Sequence, residues 1–482
     1  MNRDLNKMNR FKDFLREQDT SIEKIQKRDV DVPPEDSAPD LIVLTNRKEE
    51  QEHGEDKLFA TAMKIKEICE HKNINCYVVF VEDAHILRHE DGYHTIHNHD
   101  DKEGFPVLYG QTVSIIRGSI ARLRTTMDLI SQIEKIGVFC INYRDTMEIC
   151  SDKYRTILKL ADAALPAPKT ALLQGEETLE FAFETVGGEF PVIVKMLSGS
   201  KGVGVFFAES WKSLKGFLQM IWKISEDEEL LIQQYIETDH DYRVHVLGDE
   251  VIAAMKRYVV PGDFRSNFSL GGRVEETTLT EEEIEMCIMA SKAVRATWSG
   301  VDFVKDSDEN PYILEINSSP GTTGIEKATN EDVVNMVVDH ALDRNNWTLK
   351  ARECGWIESV EINDIGIFKG KFDTGNGSLC VLHAENFDIS DGMVKWKIGD
   401  AVHKKPYKTI KKVRVGGLRD YVEERPVVEL DVTFDGVVYR DIDFTLDNRS
   451  GRTPILINRR FMRKANLMVN PREKYLITTE PE

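Results

Sequence analysis

The chain has 482 residues, 41% apolar and 30% charged, an ordinary globular composition that excludes a disordered chain or a fibre and allows about three domains. A net charge of -20 argues against non-specific nucleic-acid binding, which depends on Lys and Arg neutralising phosphates. No apolar run approaches the ~20 residues of a membrane-spanning helix, and the charged opening MNRDLNKMNRFKDFLREQD does not read as a secretory signal.

The charge is uneven: residues 1–340 carry a net -22 and residues 341–482 a net +2, which supports a domain boundary near 345. The seven cysteines form no CxxC pair and are odd in number, so reduced thiols in a cytoplasmic setting are the simplest reading.

In chain order, residues 1–38 read as an appended arm that ends in VDVPPEDSAP, where adjacent prolines stop any helix. Phe11, Phe14, Leu15, Ile22 and Ile25 could make a helical stripe, either docked on the parent domain or serving as a partner-binding arm. Residues 39–150 read as an α/β domain. Its strands are LIVLT (41–45), CYVVFV (76–81), SIIRG (114–118) and VFCIN (138–142), with helices over 58–70 and 120–136. That alternation predicts a parallel sheet covered by helices. His85, His89, His94, His97 and His99 crowd this domain and could bind a metal. No Cys or carboxylate framework accompanies them, so a polar surface loop is preferred.

Residues 151–345 keep mixed α/β signals. FPVIVKML (190–197) is a strand followed by the glycine-rich SGSKGVGV (198–205), and ELLIQQYI (229–236) is another apolar run. DYRVHVLGDEVIAAMKRY (241–258) reads as two strands about the Gly248–Asp249 turn, and Glu281 to Thr297 as a helix with an acidic first turn. VDFVKD (301–306) and PYILEIN (311–317) are strands about a turn at 307–310. After Trp356 the period falls to two, and the stretches from IGIFKGKFDTG to TPILINRR (453–460) read as strands and tight turns, so residues 356–470 should be a small closed or folded-over all-β barrel.

SGSKGVGV could close backbone N–H groups over phosphates, or be a structural hairpin; no GK[ST] follows, so it is not a P-loop. Asp302 on one strand, with Glu315 and Asn317 two apart on the next, can converge three oxygen ligands on one face. Hard oxygen donors suit Mg²⁺ bridging nucleotide phosphates.

GGEFPVIVKMLSGSKGVGV, DYRVHVLGDEVIAAMKR, GDFRSNFSLGG, VDF and LEINSSPGTTGIEKATN together resemble the ATP-grasp ligases of the RimK type, densely from 150 to 335. The resemblance implies an ATP-grasp fold of α+β type behind the α/β domain, with ATP and Mg²⁺ (Mn²⁺ as an alternative) as cofactors. It implies that Lys153 and Lys195 contact ATP phosphates and that the Gly199–Gly204 loop, with Gly202, is the lid over them. Gln233, Gln234 and Ile236 would hold adenine at the hinge. Asp241 and Arg243 would face nucleotide and substrate, and Arg257 would lie near the transferred phosphoryl group. Arg265 and Asn267 would be catalytic, donating hydrogen bonds to the acyl intermediate. Asp302, Glu315 and Asn317 would hold Mg²⁺. The implied reaction turns a carboxylate into an acylphosphate that an amine attacks, so positioning and charge neutralisation dominate. The implied substrates are a peptide or protein C-terminus and a free amino acid, glutamate being expected. A small-molecule or biosynthetic-peptide substrate, with a non-catalytic C-terminal binding domain, is the alternative.

KFDTGNGS (371–378) places Asp373 before Thr-Gly at a strand end. Alone, this reads as a turn whose Asp caps the backbone. With LHA, VRVGG, ERPVVELDVTFDG and TLDNRSGRTPILINRR following in order, residues 356–470 resemble the retropepsin-like domain often described as an ATP-dependent zinc protease. The resemblance implies that Asp373 is a catalytic carboxylate. One such Asp per chain requires a homodimer to make a two-Asp site. Two departures bear on peptidase activity: Asn458 stands where that family usually has Gly, and the loop after Asp-Thr-Gly is slightly longer. Zinc has no support, because there is no HExxH and only His383 and His403 are at hand. The basic run HKKPYKTIKKVR (403–414) could face an acidic peptide or be a solvated hairpin.

Overall fold

A computed structural model describes residues 38–46, 57–89, 94–98, 101–118, 124–197, 204–225, 228–259, 273–414 and 422–481. Residues 1–37 of the expected arm, His99, Gly199, Gly202, Arg265 and Asn267 lie outside the described residues. Among the described residues no helix is long and apolar enough to cross a membrane.

Four short apolar runs build a parallel sheet in the order Cys76–Phe80, Leu41–Thr45, Val113–Ile116, Phe139–Ile141. The runs are mostly apolar because helices cover both faces. Leu41 and Val43 share a core with Ala62, Ile65 and Cys69 of the helix Lys57–His71. Ile42 and Leu44 face Met127, Ile130 and Ile133 of the helix Arg124–Lys135.

The histidine-rich stretch is not the surface loop that its polarity suggests. It is an antiparallel meander of His85–Arg88, His94–Asn98 and Asp101–Val107. Alternation decides this: Ile96, Phe105 and Val107 are buried, which anchors the meander to the helix-covered core. Thr95 Oγ1 lies 2.9 Å from His89 Nε2 and 2.8 Å from His97 Nε2, so these rings pair with a hydroxyl. No metal-holding group of three His, Cys, Asp or Glu exists among the described residues.

Two antiparallel sheets follow. The first has the order Val205–Ala208, Val192–Met196, Leu230–Gln234, Thr170–Leu173. The second has the order Val274–Glu276, Glu250–Tyr258, His240–Leu247, Trp298–Lys305, Pro311–Asn317. One face of this second sheet packs Tyr242, Val244, Val301, Phe303 and Ile313 against Met286, Cys287 and Ala290 of the helix Glu281–Ala293. Thr280 and Glu283 close that helix with a capping box. The helix stops short of the expected Thr297, because Arg295 takes a left-handed φ of 57°. The other face is shared at its Trp298 end with the parallel sheet, where Leu247, Met255 and Trp298 join the core of Leu41 and Val43.

The C-terminal strands close a six-stranded barrel in the order Ile357–Ile362, Gly366–Phe372, Ile455–Ile457, Cys380–His383, Val437–Asp447, Val422–Phe434, with the last pairing back to the first. Within TPILINRR, expected as strand and turn, the strand is Ile455–Ile457, and Arg459–Lys464 is a helix that Asn458 caps by accepting from Phe461 N at 2.8 Å. The packed unit also runs beyond 356–470. Arg352–Gly355 pairs in parallel with Leu467–Asn470. The fully buried Glu358 carboxylate accepts from Leu476 N, Ile477 N and Thr478 N, which ties down the tail.

The barrel docks where the parallel strands begin. Arg352 lies 3.9 Å over the Tyr109 ring and bonds Asp435 at 2.9 Å, and Arg88 of the meander reaches the same Asp435 at 3.3 Å. Tyr109 precedes the strand Val113–Ile116.

Candidate active site

Because Cβ atoms alternate along a strand, Asp241, Arg243 and His245 leave one face of the five-stranded sheet together. Register adds the rest. Asp241 lies opposite Arg257, Arg243 opposite Asp302, and Asp302 opposite Glu315. Arg257 Nε and Nη2 each donate to Asp241 at 2.7 Å, and Nη2 also lies 2.9 Å from Asp302 Oδ2. Arg243 clamps Asp302 from the other side through Nε and, at 2.7 Å, Nη2. Asp241, His245, Arg257 and Asp302 are buried, and Arg243 and Glu315 are half-buried. Burial opposes ionisation of Asp302, but the two guanidinium groups outweigh it and hold its carboxyl below the ordinary range.

Asp302 therefore has both oxygens engaged, whereas no hydrogen bond or ion pair reaches the half-buried Glu315 carboxylate among the described residues. Asn317 leaves the same face, and its Nδ2 has no partner among the described residues. This donor set fits a hard cation at Glu315 and Asn317. Among the described residues no group of three His, Cys, Asp or Glu surrounds the position, so water or phosphate oxygens would complete the shell of a bound cation. Asp302 joins such a site only by sharing an oxygen with its arginines.

The four-stranded sheet supplies positive charge opposite this face. Lys195 is on the strand Val192–Met196, and its Nζ donates to Gln233 Oε1 at 2.7 Å, while Gln233 Nε2 donates to Thr170 Oγ1 at 2.8 Å. Burial pushes the Lys195 ammonium down to about 8; Glu315 and Asp302 oppose that shift and Lys153 adds to it. Lys153, Glu315 and Asp302 thus lie within electrostatic reach of Lys195. Lys153 opens the helix Lys153–Asp162, where Asp152 accepts from Tyr154 N and Arg155 N at 2.9 and 3.0 Å. Gln234 ends the strand Leu230–Gln234, and Ile236 lies half-buried in the link from the first sheet to the second. Gly204 has φ 79°, and a Cβ there would meet Met196 Sδ at 2.8 Å, so only glycine fits where the chain re-enters the sheet.

The turn after Asn317 is pinned across the finishing ends of the parallel strands. Asn142 Nδ2 donates to Ser318 O at 2.7 Å, and Arg117 Nη2 donates to Pro320 O at 2.8 Å. Asn142 Oδ1 accepts from Thr297 N and Trp298 N at 2.7 and 3.1 Å. In such sheets the crevice at the carboxyl ends of the strands is where ligands bind.

The model of the RimK-like ATP-grasp domain matches residues 150–341. A probable alpha-L-glutamate ligase of Picosynechococcus sp. is 31% identical over 296 residues, covering 60% of this chain and 93% of the relative. The chain belongs to the RimK-like ATP-grasp family. A probable alpha-L-glutamate ligase of Coxiella burnetii is 34% identical over 245 residues, 50% of this chain and 79% of its own length. The ATP-grasp ligase PsnB, solved with a minimal precursor, shares the fold at 19% identity and a TM-score of 0.50, covering 64% of this chain and 99% of its own. As an ATP-grasp carboxylate–amine ligase, the enzyme uses ATP and Mg²⁺.

Four residues of this RimK-like ATP-grasp enzyme escaped the sequence reading: Arg117, Asn142, His245 and Trp298. For His245 a signal existed, since it is two residues from Arg243 on a strand and must share its face. Arg117 and Asn142 carry no local signal, because their partners are at least 150 residues away in sequence.

In the barrel, Asp373 follows the strand Gly366–Phe372, and its Oδ1 accepts from Gly375 N at 2.9 Å. Asn458 Nδ2 donates to Ser378 O at 2.6 Å, and Arg459 N donates to Asn376 O at 3.0 Å. Asn458 thus ties the Asp373 loop to the helix that it caps.

Proposed function

We propose that the protein adds glutamate to a peptide or protein C-terminus, by way of an acylphosphate. What supports this reading is the electrostatic reach between Lys195, Glu315 and Asp302 and the Arg243–Asp302–Arg257–Asp241 cluster beside them, together with relatives described as probable alpha-L-glutamate ligases. Lys153 and Lys195 neutralise phosphate charge. Arg257 and Arg243, held rigid by their aspartates, stay aimed at the transferred group without reorganising. Glu315 and Asn317, with Asp302 sharing, would hold Mg²⁺, which neutralises phosphoryl charge when bound. Gln233, Gln234 and Ile236 face adenine, the loop of Gly199, Gly202 and Gly204 covers the phosphates, and Arg265 and Asn267 donate to the acyl intermediate. The test is mass spectrometry of a peptide acceptor incubated with ATP, Mg²⁺ and single amino acids. A product heavier by one glutamyl residue supports the reading, and ATP hydrolysis without any adduct defeats it.

For the barrel we infer a retropepsin-like domain whose Asp373 becomes catalytic only beside a second copy of the chain. Its support is the closed barrel with Asp373 at a strand end and Asn458 bonded to the same loop. Mixing wild-type with Asp373→Asn chains should then lower cleavage of an acidic peptide in proportion to the mixed dimers. Cleavage by chains that stay monomeric would sink the pairing.

A further inference from the structure

The Asp302 face of the five-stranded sheet continues past the ion pairs toward the parallel sheet. There, three side chains carry buried polar atoms without a hydrogen-bond partner among the described residues: both ring nitrogens of His245, Trp298 Nε1 and Asn317 Nδ2. His245 lies opposite Gly300, and Gly300 opposite Asn317. The rings of His245 and Trp298 are 6.0 Å apart, and the Arg117 guanidinium lies 4.6 Å over Trp298. Buried polar groups are nearly always paired, so three on one face mark an absent partner rather than three separate defects.

The chemistry of that partner follows from the groups. An indole N–H and a carboxamide nitrogen only donate, and a neutral imidazole offers one donor and one acceptor. Burial first, then Arg243 and Arg117, hold His245 far below its usual range and so neutral, against the smaller opposing effect of Asp302; Arg257 acts with the other arginines. Donors backed by a cation call for an acceptor-rich anion, and a carboxylate is the one that amide-bond formation brings. The location agrees. Gly300 and Asn317 are two residues, about 7 Å, along their strands from Asp302 and Glu315, within reach of one amino acid. Glu315 and Asn317 are half-buried and form the open side, while Pro320 closes over Gly300.

We propose that His245, Trp298 and Asn317, with Arg117 behind them, form the subsite that holds a carboxylate of the free amino acid substrate. This rests on the ligase reading and names where that substrate is anchored. Asn317 then serves two neighbours, its oxygen toward the cation side and its nitrogen toward the carboxylate.

The test uses the full chain and L-glutamate as the probe. Calorimetry gives the Kd for L-glutamate, and phosphate release with ATP, Mg²⁺ and a peptide acceptor gives the KM values. His245→Leu exchanges an unpartnered ring for an apolar side chain of similar bulk, and thermal unfolding should show the fold intact. The expected result is a rise of about tenfold or more in the Kd and KM for L-glutamate, with the KM for ATP changed by less than about twofold. Trp298→Phe keeps the ring, loses Nε1 and should give the same split. An unchanged Kd in both variants means that only water satisfies these groups, and it overturns the subsite. A parallel rise in the KM for ATP overturns it too. If wild type turns over ATP with no amino acid, the ligase reading fails instead. The calorimetric arm still judges the subsite, and wild type that does not bind L-glutamate overturns it.

Discussion

Asp302 and Asp373 are both strand-borne carboxylates, one in the ATP-grasp half and one in the barrel, and their surroundings are opposite. Asp302 is buried, with both oxygens taken by guanidinium groups, Arg243 from the adjacent strand and Arg257 from the strand beyond it. Asp373 is half-exposed and spends one oxygen on its own turn, at Gly375 N. The first is a fixed part of an electrostatic frame that is complete within the chain. The second needs a group from outside its turn before it can do acid–base chemistry. The difference teaches that cross-strand neighbours, and not the motif around a carboxylate, decide what it does. The two carboxylates are also apart: the sheet that carries Asp302 meets the finishing ends of the parallel strands, and the barrel docks at the beginning ends.

The sharpest break of this contrast is Arg257→Met. It leaves Asp241 and Asp302 buried with less compensation, and should cost about 3–5 kcal/mol in urea unfolding, together with ATP turnover. A smaller cost with full turnover would mean that the frame is not electrostatic. Next comes Glu315→Gln, which touches no hydrogen bond and should leave the thermal midpoint near wild type. Phosphate release should fall by about 100-fold or more, because hard-cation neutralisation is worth several kcal/mol. Near wild-type release at millimolar Mg²⁺ would remove Glu315 from the site.

Lys195 sharpens the comparison through pH. In the proposed ligase its cationic form binds phosphate, and burial has lowered its pKa to about 8. ATP binding therefore takes up a proton above that point, and the Kd for ATP should rise with pH through about 8, by at most about tenfold per pH unit. A flat profile from pH 6.5 to 9.5 in wild type, matching Lys195→Met, would rule this out. On the barrel side, Asn458→Ala removes a helix cap and the bond to Ser378. It should cost about 1 kcal/mol, with Asn458→Gly costing only a few tenths from the cap itself. ATP turnover should not follow either change. The smallest effect is expected from Asp373→Asn. The carboxamide oxygen can still accept from Gly375 N, so stability and ATP turnover should stay within experimental error. A clear loss of turnover would show that the two sites are coupled after all.

The sequence by itself determined the elements. Apolar runs bounded by turn residues placed the parallel strands, the hairpins at 248–249 and 307–310, and the barrel strands, because these signals lie within a few residues of one another. It also placed Glu315 and Asn317 on one face, since alternation is local. It misread the histidine stretch, because the burial that makes it a meander comes from Ile96, Phe105 and Val107 meeting a distant core. It did not mark the helix after Ile457, although the cap that starts it, Asn458 accepting from Phe461 N, is local; the bond from Asn458 to Ser378 O is what tertiary structure added. Tertiary structure alone decided that Asp241 answers Arg257, that Arg243 answers Asp302 from 59 residues away, and that His245, Trp298 and Asn317 share one buried face. The physical reason is register: a slip of one residue in any of these strands would turn each side chain to the opposite face, and packing against both neighbouring layers, which no local pattern records, fixes it.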